Sequence, residues 1–245
     1  MLKTILLSFI LLTTLLAKDA RLNHYRDAVK WEKDANTNAD TAFNLGVLYH
    51  KNIKDYDKAV YWYKKAYGMK GQEASISASS NLGYLYKYQK KYDLALKWYT
   101  IAMKKNDRDA TFNLGLLYKN KLKDYPNAIK YYTKAYKMGE MGGALNLAHL
   151  YESILKQPEK AMIWYKKAAK GGYVDAIKDL AHIAHEKNNN IEGGAYFIAL
   201  INIKYSKQKV IKFLKNKWKL TDKELQKAYK LQLKLDIPKH YRGGI

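Results

Sequence analysis

Small and aromatic residues recur along this chain in a fixed helical order. In the stretch from Ala110 to Gly139, Leu114, Leu117 and Tyr118 fall at i, i+3 and i+4 and so share one face of a helix. Asp124, Tyr125 and Pro126 then break the pattern. Asp124 suits an N-cap, and Pro126 suits a first turn, where its missing N–H costs nothing. Ala128, Tyr131, Tyr132 and Ala135 follow at i, i+3, i+4 and i+7, a stripe with small ends and an aromatic centre. Gly139 supplies a stop. The pattern predicts two helices joined by a short turn.

The same order returns elsewhere. The triplet at Asn113 recurs as Asn44-Leu45-Gly46, Asn81-Leu82-Gly83, Asn146-Leu147-Ala148 and, weakly, Asp179-Leu180-Ala181, at steps of 37, 32, 33 and 33 residues. Second helices are marked by Ala59-Trp62-Tyr63-Ala66, Ala95-Trp98-Tyr99-Ala102 and Ala161-Trp164-Tyr165-Ala168. A period near this length with helix–turn–helix content predicts a helical solenoid, whose units bury their apolar faces by stacking on one another. No segment alternates with period two, so no strand is expected.

The order Leu-Gly-x-x-Tyr followed by Ala-x-x-Trp-Tyr-x-x-Ala resembles the tetratricopeptide class and, more closely, its Sel1-like branch, over roughly Tyr25 to Gln232. Three units carry one residue more between Gly and Ala than the tetratricopeptide pattern, as from Gly46 to Ala59, whereas Gly83 to Ala95 lacks it. The resemblance implies an all-α, right-handed α/α superhelical solenoid. It also implies a concave groove lined by the first helices, with ligand contacts flanking the small residue of each triplet.

Around the array, residues 1–17 read as a signal peptide: Lys3, an apolar run from Ile5 to Leu16, and Ala17 at the expected cleavage point. The run is shorter than the roughly 18 residues that a spanning helix needs. Periplasmic or secreted localisation follows as the expectation. Residues 18–36 form half a repeat through Ala28, Trp31 and Ala35, placed to cover the open side of an array assigned to 37–203. The link from Ala66 to Asn81 is four residues longer than its later equivalents, which predicts a longer first helix or loop there. After Asp179 the motif decays, with Gly194, Phe197 and Ile198 read in the places of Ala, Trp and Tyr. Residues 204–245 are read as capping helices over 207–216 and 222–235. Thr221 with Glu224 forms a capping box, and Leu220 with Leu225 a hydrophobic staple.

Composition changes this picture little. Without cysteine the chain has no disulfide, and its 23 tyrosines and 5 tryptophans supply packing at repeat positions. The formal charge is +23, nearly all lysine, with only Arg21, Arg26, Arg108 and Arg242. The lysines read as spread over every solvent face, and with no nucleic-acid motif the charge does not point to nucleic acid.

Candidate chemistry is sparse. Ser153 and Lys156 match the Ser-x-x-Lys of penicillin-recognising serine enzymes, and some secreted Sel1-like relatives are labelled β-lactamases. The partner motifs are missing, however. His182 and His185, at i and i+3, lack the further ligands of a zinc site, so no metal or cofactor is expected. The resemblance places Phe43, Val47, His50, Tyr84, Lys87, Phe112, Leu116, Lys119, His149, Glu152, His182 and His185 in the groove. The resulting expectation is a non-enzymatic scaffold for a protein or peptide of apolar and acidic character. The alternatives are β-lactamase-like activity or binding to an anionic lipid or polysaccharide surface, and membrane association is expected only through an uncleaved leader.

Overall fold

The computed structural model describes residues 20–238 apart from Arg26, Lys70 and Lys204, together with 240, 242 and 243. The expected leader at 1–17 lies outside the described residues. Among those described there is no strand, and thirteen α-helices make the chain all-α. It divides into two compact units, residues 1–122 and 123–245.

The first unit holds α1 (Ala28–Asp34), α2 (Ala39–Leu48), α3 (Tyr56–Gly68), α4 (Gln72–Tyr88), α5 (Tyr92–Lys104) and α6 (Arg108–Leu117). Polar side chains at the breaks in the apolar pattern set where helices begin. Asn38, Asp55 and Asp107 each accept the backbone N–H three residues on, that of Thr41, Lys58 and Ala110. Within a pair, contact is close: a Cβ on Gly46 would stand 2.5 Å from Tyr63 Cδ1, and one on Gly83 2.5 Å from Tyr99 Cδ1. Both tyrosines are fully buried. Helix α1 covers the outer side of α2, with Leu22, Ala28 and Ala35 fully buried. The longer link resolves as helix: α4 starts eleven residues before Gly83, whereas α2 starts seven before Gly46, so the insertion adds one turn.

The second unit holds α7 (Tyr125–Lys137), α8 (Gly142–His149), α9 (Pro158–Lys170), α10 (Val174–Glu186), α11 (Asn190–Ala199), α12 (Lys207–Asn216) and α13 (Asp222–Gln232). Its closing core gathers on Trp218, which stacks on His185 at 4.2 Å and meets Phe197 at 4.9 Å and Phe213 at 5.5 Å. The capping box of Thr221 and Glu224 is formed in both directions, and α13 ends three residues earlier than the pattern suggests.

One extra residue per repeat has a structural meaning. Helices α2, α6 and α8 each run on into a π-helical turn, at Tyr49–Ile53, Tyr118–Leu122 and Leu150–Ile154, and these are the three repeats with the longer Gly-to-Ala or Ala-to-Ala spacing. Neither α4 nor α10 has one. The added residue is taken up by widening the last turn, which keeps the next helix in register. The fifth repeat belongs with the short kind, and its assignment shifts by one residue. Its N-cap Asn189 lies eight after Ala181, as Lys91 lies eight after Gly83. Gly193, Tyr196 and Phe197 therefore take the Ala, Trp and Tyr places. A Cβ at Gly193 would lie 2.7 Å from the Ala181 carbonyl.

Candidate functional site

In the first unit, α2, α4 and α6 bring their repeat-equivalent faces around a cavity of about 430 Å³. His50 stands in the π turn after α2, Asn81 and Tyr84 on α4, Asp109 and Asn113 on α6, and Tyr99 rises from α5 beneath them. Lys51 and Lys54 add positive charge to the lining. Tyr84 is 44% exposed, with its ring 5.5 Å from that of His50 and the Lys87 ammonium 5.1 Å above it. A second cavity of about 330 Å³ holds Lys87, Tyr88, Leu116 and Lys121. Phe43 and Val47 are half-buried on α2, the former 5.7 Å from the Tyr63 ring. Phe112 and Lys119 are also half-buried, on α6 and its π turn.

The groups differ in what they can offer. Burial first, then the charges of Lys51 and Lys54, holds the His50 imidazole below its usual 6.5, so it is neutral at pH 7. Burial, and then Lys121, lowers the Lys87 ammonium. Lys87 reaches across to α6 and donates to Asn113 Oδ1 at 3.2 Å. Asn113 in turn donates to the Asp109 carbonyl at 2.9 Å, and Asn146 does the same to Gly142 at 3.0 Å. In the third and fourth repeats the asparagine thus anchors its amide N–H in its own helix, which leaves the Asn113 oxygen to accept from Lys87.

A tyrosine contact is shared by the first and fourth repeats. In the first repeat the Tyr63 hydroxyl lies 3.3 Å from His50 Nδ1, and in the fourth Tyr165 donates to Glu152 Oε2 at 2.7 Å. Both partners stand four residues after the small residue, in a π turn. The second repeat has no π turn, and its equivalent side chain, Lys87, leans to Asn113 instead. The Tyr99 hydroxyl is left buried with no hydrogen-bond partner among the described residues, at the wall of the cavity. Burial pushes its phenol well up, so it keeps its proton as a donor. Sequence reading placed Tyr84 and His50 here but treated Tyr99 as scaffold. Tyr88, 61% exposed, also went unread.

The second unit places its own candidates differently. His149 Nε2 lies 3.1 Å from Asp179 Oδ2, and its ring meets Tyr165 edge-on at 5.5 Å. His185 stacks on Trp218 with Nδ1 2.6 Å from Asn190 Oδ1, and the exposed His182 meets the same tryptophan at 5.8 Å. These histidines and Glu152 are already engaged in packing or pairing. Ser153 is exposed in the π turn after α8, with no hydrogen-bond partner among the described residues to act as its base.

The paired helices, repeated caps and close Gly–Tyr contacts define a helical-repeat protein. Sel1 repeats match residues 39–69 and 142–173, and a tetratricopeptide repeat matches 80–141. Together they span about half of the sequence, and the chain belongs to the Sel1-like, tetratricopeptide-like repeat proteins. Its fold is similar to that of c5321, a protective antigen present in uropathogenic Escherichia coli strains and displaying an SLR fold. The TM-score is 0.62 at 23% identity over 84% of this chain and 47% of that one, so the chain spans about half the length of that protein. A Sel1 repeat protein from Oxalobacter formigenes is 27% identical over 83% of this chain and 75% of its own, with a TM-score of 0.49. No curated protein matches the chain. Repeat scaffolds of this fold generally serve protein interaction.

Proposed function

We propose that this chain is a non-enzymatic scaffold, periplasmic or secreted after removal of its leader, that binds a protein or peptide segment across the α2, α4 and α6 face of its first unit. The observation that carries the reading is the buried Tyr99 hydroxyl at the wall of a cavity capped by the exposed Tyr84 ring. A buried donor without an acceptor is costly, and the backbone carbonyls or carboxylates of a bound segment are acceptors of the right kind. Lys51, Lys54 and Lys87 favour an acidic segment. Phe43, Val47, Phe112 and Leu116 are half-buried apolar surface for its anchors. Tyr84 is the expected energetic centre, since aromatic residues dominate interface hot spots.

Capture from periplasmic extract followed by mass spectrometry, with the wild type and the Tyr84→Ala/Phe112→Ala variant side by side, tests this reading. The variant is expected to keep its helical circular dichroism and lose the partner. Equal recovery by both proteins would exclude this face.

A further inference from the structure

Basic side chains concentrate at one end of the sequence. Residues 204–245 carry 13 lysines and arginines against 3 carboxylates, a net +10, whereas residues 18–203 carry only +12 over more than four times that length. The even spread expected from composition does not hold. Moreover, all three of those acids are occupied. Asp222 pairs with Lys215 at 2.6 Å, Asp236 pairs with Lys170 at 2.9 Å, and Glu224 closes the capping box on Thr221.

The remaining lysines lie on two helix faces. On α12, Val210 and Leu214 are buried, while the opposite side presents Lys207, Ile211 and Lys215 as one ridge and Gln208, Lys212 and Asn216 as the next, around a shallow apolar depression. On α13, Lys223, Lys227 and Lys230 fall at i, i+4 and i+7 as a single exposed stripe. None of Lys207, Lys212, Lys223, Lys227 and Lys230 is in an ion pair among the described residues.

We propose that the exposed face of α12, with the lysine stripe of α13, docks on an anionic phospholipid bilayer surface. Lysines alternating with an apolar side chain on a helix face suit the boundary between phosphate headgroups and acyl chains. Nucleic acid is the poorer fit, because its readers use arginine and stacked aromatics. This tail has one arginine, Arg242, and its Trp218 is turned into the core. The docking is peripheral, since no described helix is long and apolar enough to cross a membrane. It is independent of the groove on the first unit.

Co-sedimentation of the full chain with vesicles tests the proposal, using equal parts phosphatidylglycerol and phosphatidylcholine against phosphatidylcholine alone. The apolar run at residues 5–16 meets both vesicle types alike, so the difference between them reads the chain's charge, and the two variants below locate it. Binding is expected to be tighter to the anionic vesicles, and the excess is expected to fall steeply with salt. A Lys207→Gln/Lys212→Gln/Lys227→Gln/Lys230→Gln variant removes about fivefold in affinity per lysine, on the order of a hundredfold or more together. The charge-matched Lys97→Gln/Lys104→Gln/Lys121→Gln/Lys166→Gln variant, with exposed lysines of the repeats, is expected to lose less than about tenfold. Equal losses from the two variants would make the attraction a property of net charge and overturn the proposal. So would tighter binding of the wild type to heparin or duplex DNA than to the anionic vesicles.

Discussion

Tyr99 and His50 show how one hydrogen bond, made in one repeat and missing in the next, separates scaffold from site. Tyr99→Phe deletes only the buried hydroxyl that has no partner among the described residues. Because no internal bond is lost, the melting temperature is expected to stay the same or rise, by about 1 kcal/mol of stability at most. If the hydroxyl donates to the bound segment, affinity for the captured partner falls about tenfold in calorimetric titration. Unchanged affinity would return Tyr99 to the scaffold. His50 gives a pH signature. Its folded-state pKa lies below 6.5, burial being the first cause. The unfolded chain therefore takes up the proton first as pH falls through 6.5, and this contribution to stability is lost below that value. Denaturation midpoints at about pH 7.5 and about pH 5.5 should differ less in His50→Gln than in the wild type.

Turns between paired helices come in two lengths, and the π turn takes up the extra residue of the longer kind. It closes through a bond from the Asp55 N–H to the Tyr49 carbonyl at 2.9 Å, with Lys54 beyond it at φ 63°. The equivalents Lys90, Lys123, Lys156 and Asn188 are left-handed as well, each just before an N-cap. A short polar or flexible residue favours that conformation, and the asparagine in the fifth repeat fits it better than the lysines do. Deleting Asn52, exposed within the first π turn, converts the first repeat to the spacing of the second. The expected result is an unchanged helical spectrum and a stability change within about 1 kcal/mol. The price is the contact between His50 and Tyr63. A cooperative loss of helix would mean that the π turn itself holds α2 against α3.

Over the whole molecule, a repeat array exposes apolar surface wherever it stops, so its ends need covering. Removing residues 20–35 takes away the fully buried Leu22, Ala28 and Ala35 and uncovers α2. The melting temperature should fall by several degrees for each 1–2 kcal/mol lost, and an unchanged melt in a thermal scan would show that α1 covers nothing. Much of this architecture was legible beforehand. The helix start at Asp124 and the capping box at Thr221 follow from interactions between residues three apart, which a linear sequence displays directly. The extra residue in three repeats was also visible, though not its form as a π turn. Other features needed the folded chain. The register of the fifth repeat was settled by Gly193 meeting the Ala181 backbone and Phe197 meeting His182, contacts across a helix pair. That the Tyr99 hydroxyl has no partner among the described residues goes with Lys87 reaching to Asn113, and which lysines kept a counter-charge depended on Asp222 and Asp236 finding partners on other helices. Sequence by itself determined what each helix is and where it begins, because those choices are local. Only the tertiary structure decided which polar groups are left for a partner, because that depends on what distant residues have already bonded.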